Sequence, residues 1–254
     1  MKATQCKRRR ADDDIAYRAL RSDEWGFYRR GLTAPDEESN SVDAFTHVSL
    51  GSRCRKVREQ SPYLSATRSL GVAAAWAAAS RAQGASQGRV AKFYFKKAAK
   101  DYDLTNADDI AKFMNGRNNP RVLNSAKRSQ EVLKHKKVPP HHILDAYMAT
   151  YLKKREYEAY MRAGFSADFQ VVTAAARAKD TPRPIKVMSE SLYYLNKAKK
   201  YWETIPDEVA REVGEHIDSP FDLDYITSAG EYNKYIAEVE KIRQAVLQRM
   251  PRGK

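Results

Sequence analysis

Arg18, the hydroxyl step Ser65-Ala66-Thr67 and Glu131 are the residues of this sequence with chemistry to offer. Arg18 sits in the middle of a β-like run, where burying a guanidinium is costly unless an anion or carboxylate meets it. Its other reading is an edge-strand arginine pointing into water. Ser65 and Thr67 end a short strand just before a helix, where α+β folds often place a ligand pocket. Glu131 opens a late strand as a lone carboxylate. No Walker loop, no G-x-G-x-x-G and no nucleophile elbow accompanies them. His135, His141 and His142 lie close in sequence, but no cysteine or carboxylate stands at ligand spacing around them, so no metal site is expected. Composition and spacing alone reach a basic α+β domain with an anion-binding cleft.

The elements that must position these residues follow from local pattern. Strand alternation over 15–20 puts Ile15, Tyr17 and Ala19 on one face and Arg18 and Leu20 on the other. Residues 21–46 read as loop-rich, with Asp23-Glu24, Gly26, Gly31 and Pro35. His47 follows and on its own reads as a satisfied core histidine. Pro62 marks the entry to a strand at Tyr63-Leu64, and Ser69 is the expected N-cap of an alanine-rich helix. A flexible loop over 83–88 precedes a strand at 90–95. Asn106 or Thr105 caps a helix reaching about Phe113. Residues 115–130 read as a polar, basic loop, followed by a short strand at 132–135. Ser129 and Glu131, two apart, would face the same way in an extended chain.

From Ile143 onward apolar residues recur at helical spacing: Leu144, Tyr147/Met148 and Tyr151/Leu152; then Met188, Leu192, Leu195 and Trp202; then Tyr235, Val239, Ile242 and Val246. Pro182, Pro184, Pro206 and Pro220 separate these stretches. The expected organisation is therefore a flexible N-terminus over 1–14, an α+β domain over 15–142, and an all-helical extension over 143–254.

The charge is unevenly placed. Residues 1–141 hold 28 Lys and Arg against 15 Asp and Glu, and the remainder holds 18 against 17. The basic field thus belongs to the part that carries the arginine, the hydroxyls and the carboxylate, and it suits an anionic ligand or partner. The longest apolar run is too short to span a bilayer, so no membrane association is expected. Basic residues near the N-terminus have no apolar segment behind them, and two cysteines imply no disulfide framework. A cytoplasmic or nuclear setting is expected, in the protein's own cell or in a host.

Taken in order, Tyr17-Arg18-Ala19, His47 with Gly51-Ser52, Tyr63-Leu64-Ser65-Ala66-Thr67, and Gln130-Glu131-Val132 with Val138-Pro139-Pro140 resemble the ADP-ribosyltransferases. The likeness is to the Arg–Ser–Glu class typified by cholera toxin, over about residues 15–143. The resemblance implies a pair of packed small β-sheets with flanking helices and NAD+ bound between them as a consumed substrate. It implies that Arg18 holds the dinucleotide's phosphate and ribose, that Ser65 orders the site and positions the catalytic Glu131, that Thr67 supplies a second hydroxyl, and that His47 walls the site. Glu131 would stabilise the positive charge that develops on the ribose as nicotinamide leaves.

In this family the residue two before the glutamate helps choose the acceptor. Here it is Ser129, neither the glutamate that accompanies arginine modification nor the glutamine of other acceptors. Arg128, Ser129 and Gln130 would stand at the acceptor, beside Arg117, Arg121 and Lys127. These cations suit an acidic protein face or a nucleic acid, and the few aromatics there favour protein. The implied activity is mono-ADP-ribosylation of a macromolecule. The rivals are NAD+ glycohydrolysis with water as acceptor and a non-catalytic basic binding module.

Overall fold

The computed structural model describes residues 14–24, 26–51, 54–79, 88–164, 169–177, 179–216 and 229–249. The basic residues near the N-terminus, residues 83–87 of the expected loop over 83–88, and Ser52 lie outside the described residues. The chain divides into two units, one formed by 1–165 with 171–187 and the other by 166–170 with 188–254.

The first unit is α+β. Its strands are β1 (Ile15–Ala19), β2 (Leu32–Thr33), β3 (Tyr63–Thr67), β4 (Gly88–Tyr94), β5 (Tyr102–Asp103), β6 (Glu131–His135), β7 (Lys137–Val138), β8 (Ile143–Tyr151), β9 (Gln170–Ala174) and β10 (Arg183–Ser189). The last two run into the boundary between units. β2 and β7 pair with each other, and the other eight form one curled sheet in the order β5-β6-β3-β1-β4-β8-β10-β9. The expected α+β fold with flanking helices is present, and the larger of its two sheets has a narrow waist. β1 runs along β4 over five register pairs and β3 along β6 over five, but β1 meets β3 at Tyr17↔Thr67. That is the one register pair between the two strands among the described residues.

Alternation along β1 divides two cores. Ala16 and Leu20 join Leu64, Ala66, Ala91, Phe93, Phe95 and Val132 on one face. Tyr17 and Ala19 face the other, against α4 (Leu70–Ala79). Burying a phenylalanine such as Phe93 contributes about 2–3 kcal/mol. α4 starts at the expected cap, where Ser69 Oγ accepts from Val72 N at 3.3 Å. Its alanines are buried on several sides, which lets the helix lie close on the sheet. The approach is so tight that a Cβ at Gly88 would collide with the Ala77 carbonyl.

A third cluster packs α2 (Ala44–Leu50), α5 (Ala107–Met114) and α6 (Pro120–Arg128) over Tyr63 and Leu133. α5 begins at Asn106, whose side chain accepts from two backbone N–H groups. α3 (Arg55–Gln60) leads into β3, and α1 (Phe27–Arg30) follows β1.

Two expectations are corrected here. Residues 115–130 are not all loop: Asn119 caps α6 with Pro120 in its first turn, and Val122 and Ala126 form its buried stripe. Two small apolar residues among so many cations made that stripe faint. The stretch from 143 onward is not an all-helical extension: residues 143–151 are strand β8, 170–174 are β9, and 183–189, which include Met188, are β10. β8 is covered on both faces, with Ala146 in one core and Ala149 in the other, so its apolar residues do not alternate cleanly. A register shift against β4 at Lys92/Phe93 moves the phase by one more step. Together these imitate a helical period.

α7 (Lys154–Ala163) completes the helices of the first unit. The second unit carries α8 (Glu190–Trp202), α9 (Asp207–His216) and α10 (Ala229–Arg249). Tyr235, Val239 and Val246 of α10 pack on Ile205 and Val209, with Ile242 and Tyr194 against them. The side chains of Leu195 and Trp202 are outside the described residues. No helix among the described residues is long and apolar enough to cross a membrane.

Candidate functional site

The candidate residues converge at the waist of the sheet. On β3, Ser65 and Thr67 share a face; on β6, Glu131 is the register partner of Thr67. Ser65 is therefore diagonal to Glu131, within reach across the strand pair. Ser65 Oγ donates to Glu131 Oε1 at 3.1 Å. α2 brings His47 against the same hydroxyl: His47 Nε2 lies 2.7 Å from Ser65 Oγ. Its other ring nitrogen, Nδ1, lies 2.6 Å from Ser61 Oγ.

Arg18 comes from the opposite side of the waist. Its Nη1 donates to the Ser65 carbonyl at 2.5 Å, which ties β3 to β1 where regular pairing is sparse. Its Nε and Nη2 donate to Glu24 Oε1 at 3.0 and 2.8 Å. Both Arg18 and Glu24 are buried, so the pair answers the cost of a charge in the sheet. Of five guanidinium N–H donors, three are used in these bonds, and two have no partner among the described residues.

Thr67 is fully buried. Its hydroxyl donates to the Ser129 carbonyl at 2.5 Å and accepts from Ser69 N at 3.0 Å. Arg68 N holds the Gln130 carbonyl at 3.0 Å. The end of β3 thus clamps the two peptide groups that precede Glu131. Gln130 has φ of 47°, the left-handed region, and Ser129 is helical as the C-cap of α6. Strand alternation therefore does not relate Ser129 to Glu131. The Ser129 hydroxyl instead turns back to the Ser125 and Ala126 carbonyls at 2.9 and 3.1 Å. Arg128 and Gln130 are exposed at the same corner.

The electrostatics are set by burial. Desolvation pushes the Glu131 carboxyl up to about 7, although the Ser65 hydrogen bond pulls the other way. Desolvation, and then the Arg18 charge, push the His47 imidazole down to about 4. At neutral pH the histidine is neutral, and the carboxyl sits near its midpoint. Such a carboxylate can stabilise a developing cation or take a proton.

A cleft of about 580 Å³ opens beside the Arg18 partner, lined among others by Arg21, Glu24, Phe27, Arg30 and Arg58. Asp23 and Glu59 line it too, so its three arginines face three carboxylates, and Arg21 already pairs with Asp23. Among the described residues no cluster of histidine, cysteine and carboxylates could hold a metal ion.

Sequence reasoning missed two residues that complete this arrangement. Glu24 was placed only in a loop-rich stretch, although a mid-strand arginine demands a counter-charge and Asp23-Glu24 are the next carboxylates along the chain. Ser61 had no distinguishing signal: it is the serine before Pro62, and only the fold brings it to His47.

No protein-family model matches this chain, and no curated protein matches it. Among solved structures it is similar to EcPltA, with a TM-score of 0.41 and 14% identity over 56% of this chain and 79% of that one. It is also similar to full-length CARDS toxin, with a TM-score of 0.35 and 13% identity over 55% of this chain. The match covers 25% of that toxin, so the chain spans about a quarter of its length.

Proposed function

We propose that this protein is a mono-ADP-ribosyltransferase that consumes NAD+, releases nicotinamide and joins ADP-ribose to a macromolecule. The observation that carries the reading is Glu131, a buried carboxylate whose one side-chain partner among the described residues is the Ser65 hydroxyl. Charge held so sparsely is ready for a cation, and the ribose of NAD+ becomes one as its bond to nicotinamide breaks. Nicotinamide departs neutral with the bonding electrons. An acceptor nucleophile then forms the new bond to the same ribose carbon, and its proton passes to Glu131, whose pKa near 7 suits that transfer.

Arg18 positions Ser65 through its carbonyl, and its remaining donors favour a phosphate of the dinucleotide. Thr67 acts on the chain ahead of Glu131, not on the ligand. Exposed Arg121, Lys127 and Arg128 on α6 favour an acidic protein face as acceptor.

The test incubates NAD+ labelled on its adenylate half with the protein and a cell lysate, beside Glu131→Gln. Label removed by protease and absent with Glu131→Gln supports the proposal for a protein acceptor. Label removed by nuclease moves the acceptor to nucleic acid. Free ADP-ribose without bound label makes the protein a glycohydrolase. No NAD+ consumption under any condition overturns the reading.

A further inference from the structure

Glu131 depends on which way one serine hydroxyl points, and that direction is set two hydrogen bonds away. Ser65 Oγ stands between His47 Nε2 at 2.7 Å and Glu131 Oε1 at 3.1 Å. It has one hydrogen to give. If that hydrogen goes to the ionised carboxylate, His47 Nε2 must be the donor to Ser65, so it carries the ring proton. A neutral imidazole has only one N–H, so Nδ1 is then an acceptor. Ser61 Oγ, 2.6 Å from Nδ1, must donate to it. Ser61 Oγ in turn accepts from Tyr63 N at 3.2 Å, which leaves its hydrogen free for His47. Every donor in the chain Tyr63 N, Ser61, His47, Ser65 then points toward Glu131. With the other tautomer each arrow downstream of Ser61 reverses. Ser65 would then give its hydrogen to His47 and leave the carboxylate with no donor.

We infer that Ser61 is a positioning residue. It fixes His47 as the Nε2–H tautomer and so aims the Ser65 hydroxyl at Glu131. Ser61 is built for a fixed hydroxyl. It is fully buried at the end of α3, and its carbonyl accepts from Asp36 N at 3.2 Å. Pro62 follows it and Tyr63 N reaches back to its Oγ, a local turn that pins the side chain. The role in turnover rests on the proposed NAD+ chemistry; the tautomer does not.

The experiment measures the imidazole nitrogen chemical shifts of His47 by NMR in the full chain with isotope-labelled histidine, above pH 7. A His47→Asn sample identifies the resonances. The expected result is a protonated Nε2 and an unprotonated Nδ1. Ser61→Ala should shift His47 toward the Nδ1–H form and lower kcat for NAD+ cleavage by about 10–100-fold, the worth of one hydrogen bond to a charged group. KM should stay within about twofold, and Ser61→Thr should restore both tautomer and kcat. A wild-type His47 protonated on Nδ1 overturns the inference, as does Ser61→Ala with unchanged tautomer and kcat. If the wild type cleaves no NAD+ yet shows the Nε2–H tautomer, lost in Ser61→Ala, the transferase reading fails and the assignment of Ser61 stands.

Discussion

Strand β6 buries two charged side chains three residues apart, and it treats them differently. Lys134 meets Asp101 at 2.6 Å and the Lys96 carbonyl at 2.9 Å, and Asp101 also accepts from His135 N at 2.8 Å. Cation and anion are matched, and the leftover lone pairs are used. Among the described residues Glu131 has a hydroxyl and no cation in contact. Nearby charge was available: Arg68 pairs with Asp103 at 2.7 Å, and Arg18 pairs with Glu24. Among the described residues around the waist, Arg18 with Glu24 and Lys134 with Asp101 are neutralised in pairs, and Glu131 is left under-compensated. A purely structural glutamate in that position would be a poor choice, because burial without a counter-charge costs stability. That under-compensation is what the proposed role of Glu131 requires.

The largest effect that separates the two charges is on stability. Lys134→Met strands Asp101 in the core and should cost about 3–5 kcal/mol in urea unfolding. Glu131→Gln, measured at pH 8, should leave stability equal or higher while NAD+ cleavage falls by at least about 100-fold. A Glu131→Gln protein as unstable as Lys134→Met would erase the contrast.

The next effect is in pH. The folded Glu131 titrates near 7, above its ordinary 4.5, so it takes up a proton on folding between those values and makes stability fall as pH rises. The folded His47 titrates near 4, below its ordinary 6.5, so its contribution is lost as pH falls from 6.5 toward 4. The two slopes oppose each other, and the wild type should be nearly flat between about pH 4.5 and 6.5. Glu131→Gln should expose the histidine slope, with stability dropping by up to ~3 kcal/mol on acidification. Thermal melts across that range read it directly; a flat Glu131→Gln profile would count against a neutral buried His47.

The smallest effect tests the clamp behind Glu131. Thr67→Val removes the bond to the Ser129 carbonyl and leaves Ser69 N without its acceptor, at about 1–2 kcal/mol. It should lower kcat more than it raises KM for NAD+, since it loosens Glu131 and not the ligand's grip. Steady-state kinetics separate the two, and a pure KM effect would put Thr67 on the ligand.

Much of this was legible in the residues. Alternation along β1 sorted Arg18 from Tyr17, Ser69 and Asn106 marked helix starts that the structure contains, and Glu131 was expected to open its strand. These signals are local: a cap or a pleat is decided by neighbours within a few positions. What failed was also local in cause. β8, buried on both faces and shifted in register, lost the alternation that identifies a strand, and α6 hid two buried residues among exposed cations.

The sequence by itself determined the α+β character of the first unit, the basic field and the candidacy of Arg18, Ser65 and Glu131, each a matter of residue type and short-range spacing. His47 became a candidate only through the resemblance to the ADP-ribosyltransferases. Only the tertiary structure decided what those residues do to one another. The Arg18 guanidinium holds the Ser65 carbonyl, and Glu24 holds the guanidinium. Ser61 reaches His47 across 14 residues, and Ser65 reaches Glu131 across 66. Hydrogen-bond direction and desolvation depend on atoms brought together from distant parts of the chain, and no spacing rule carries that information.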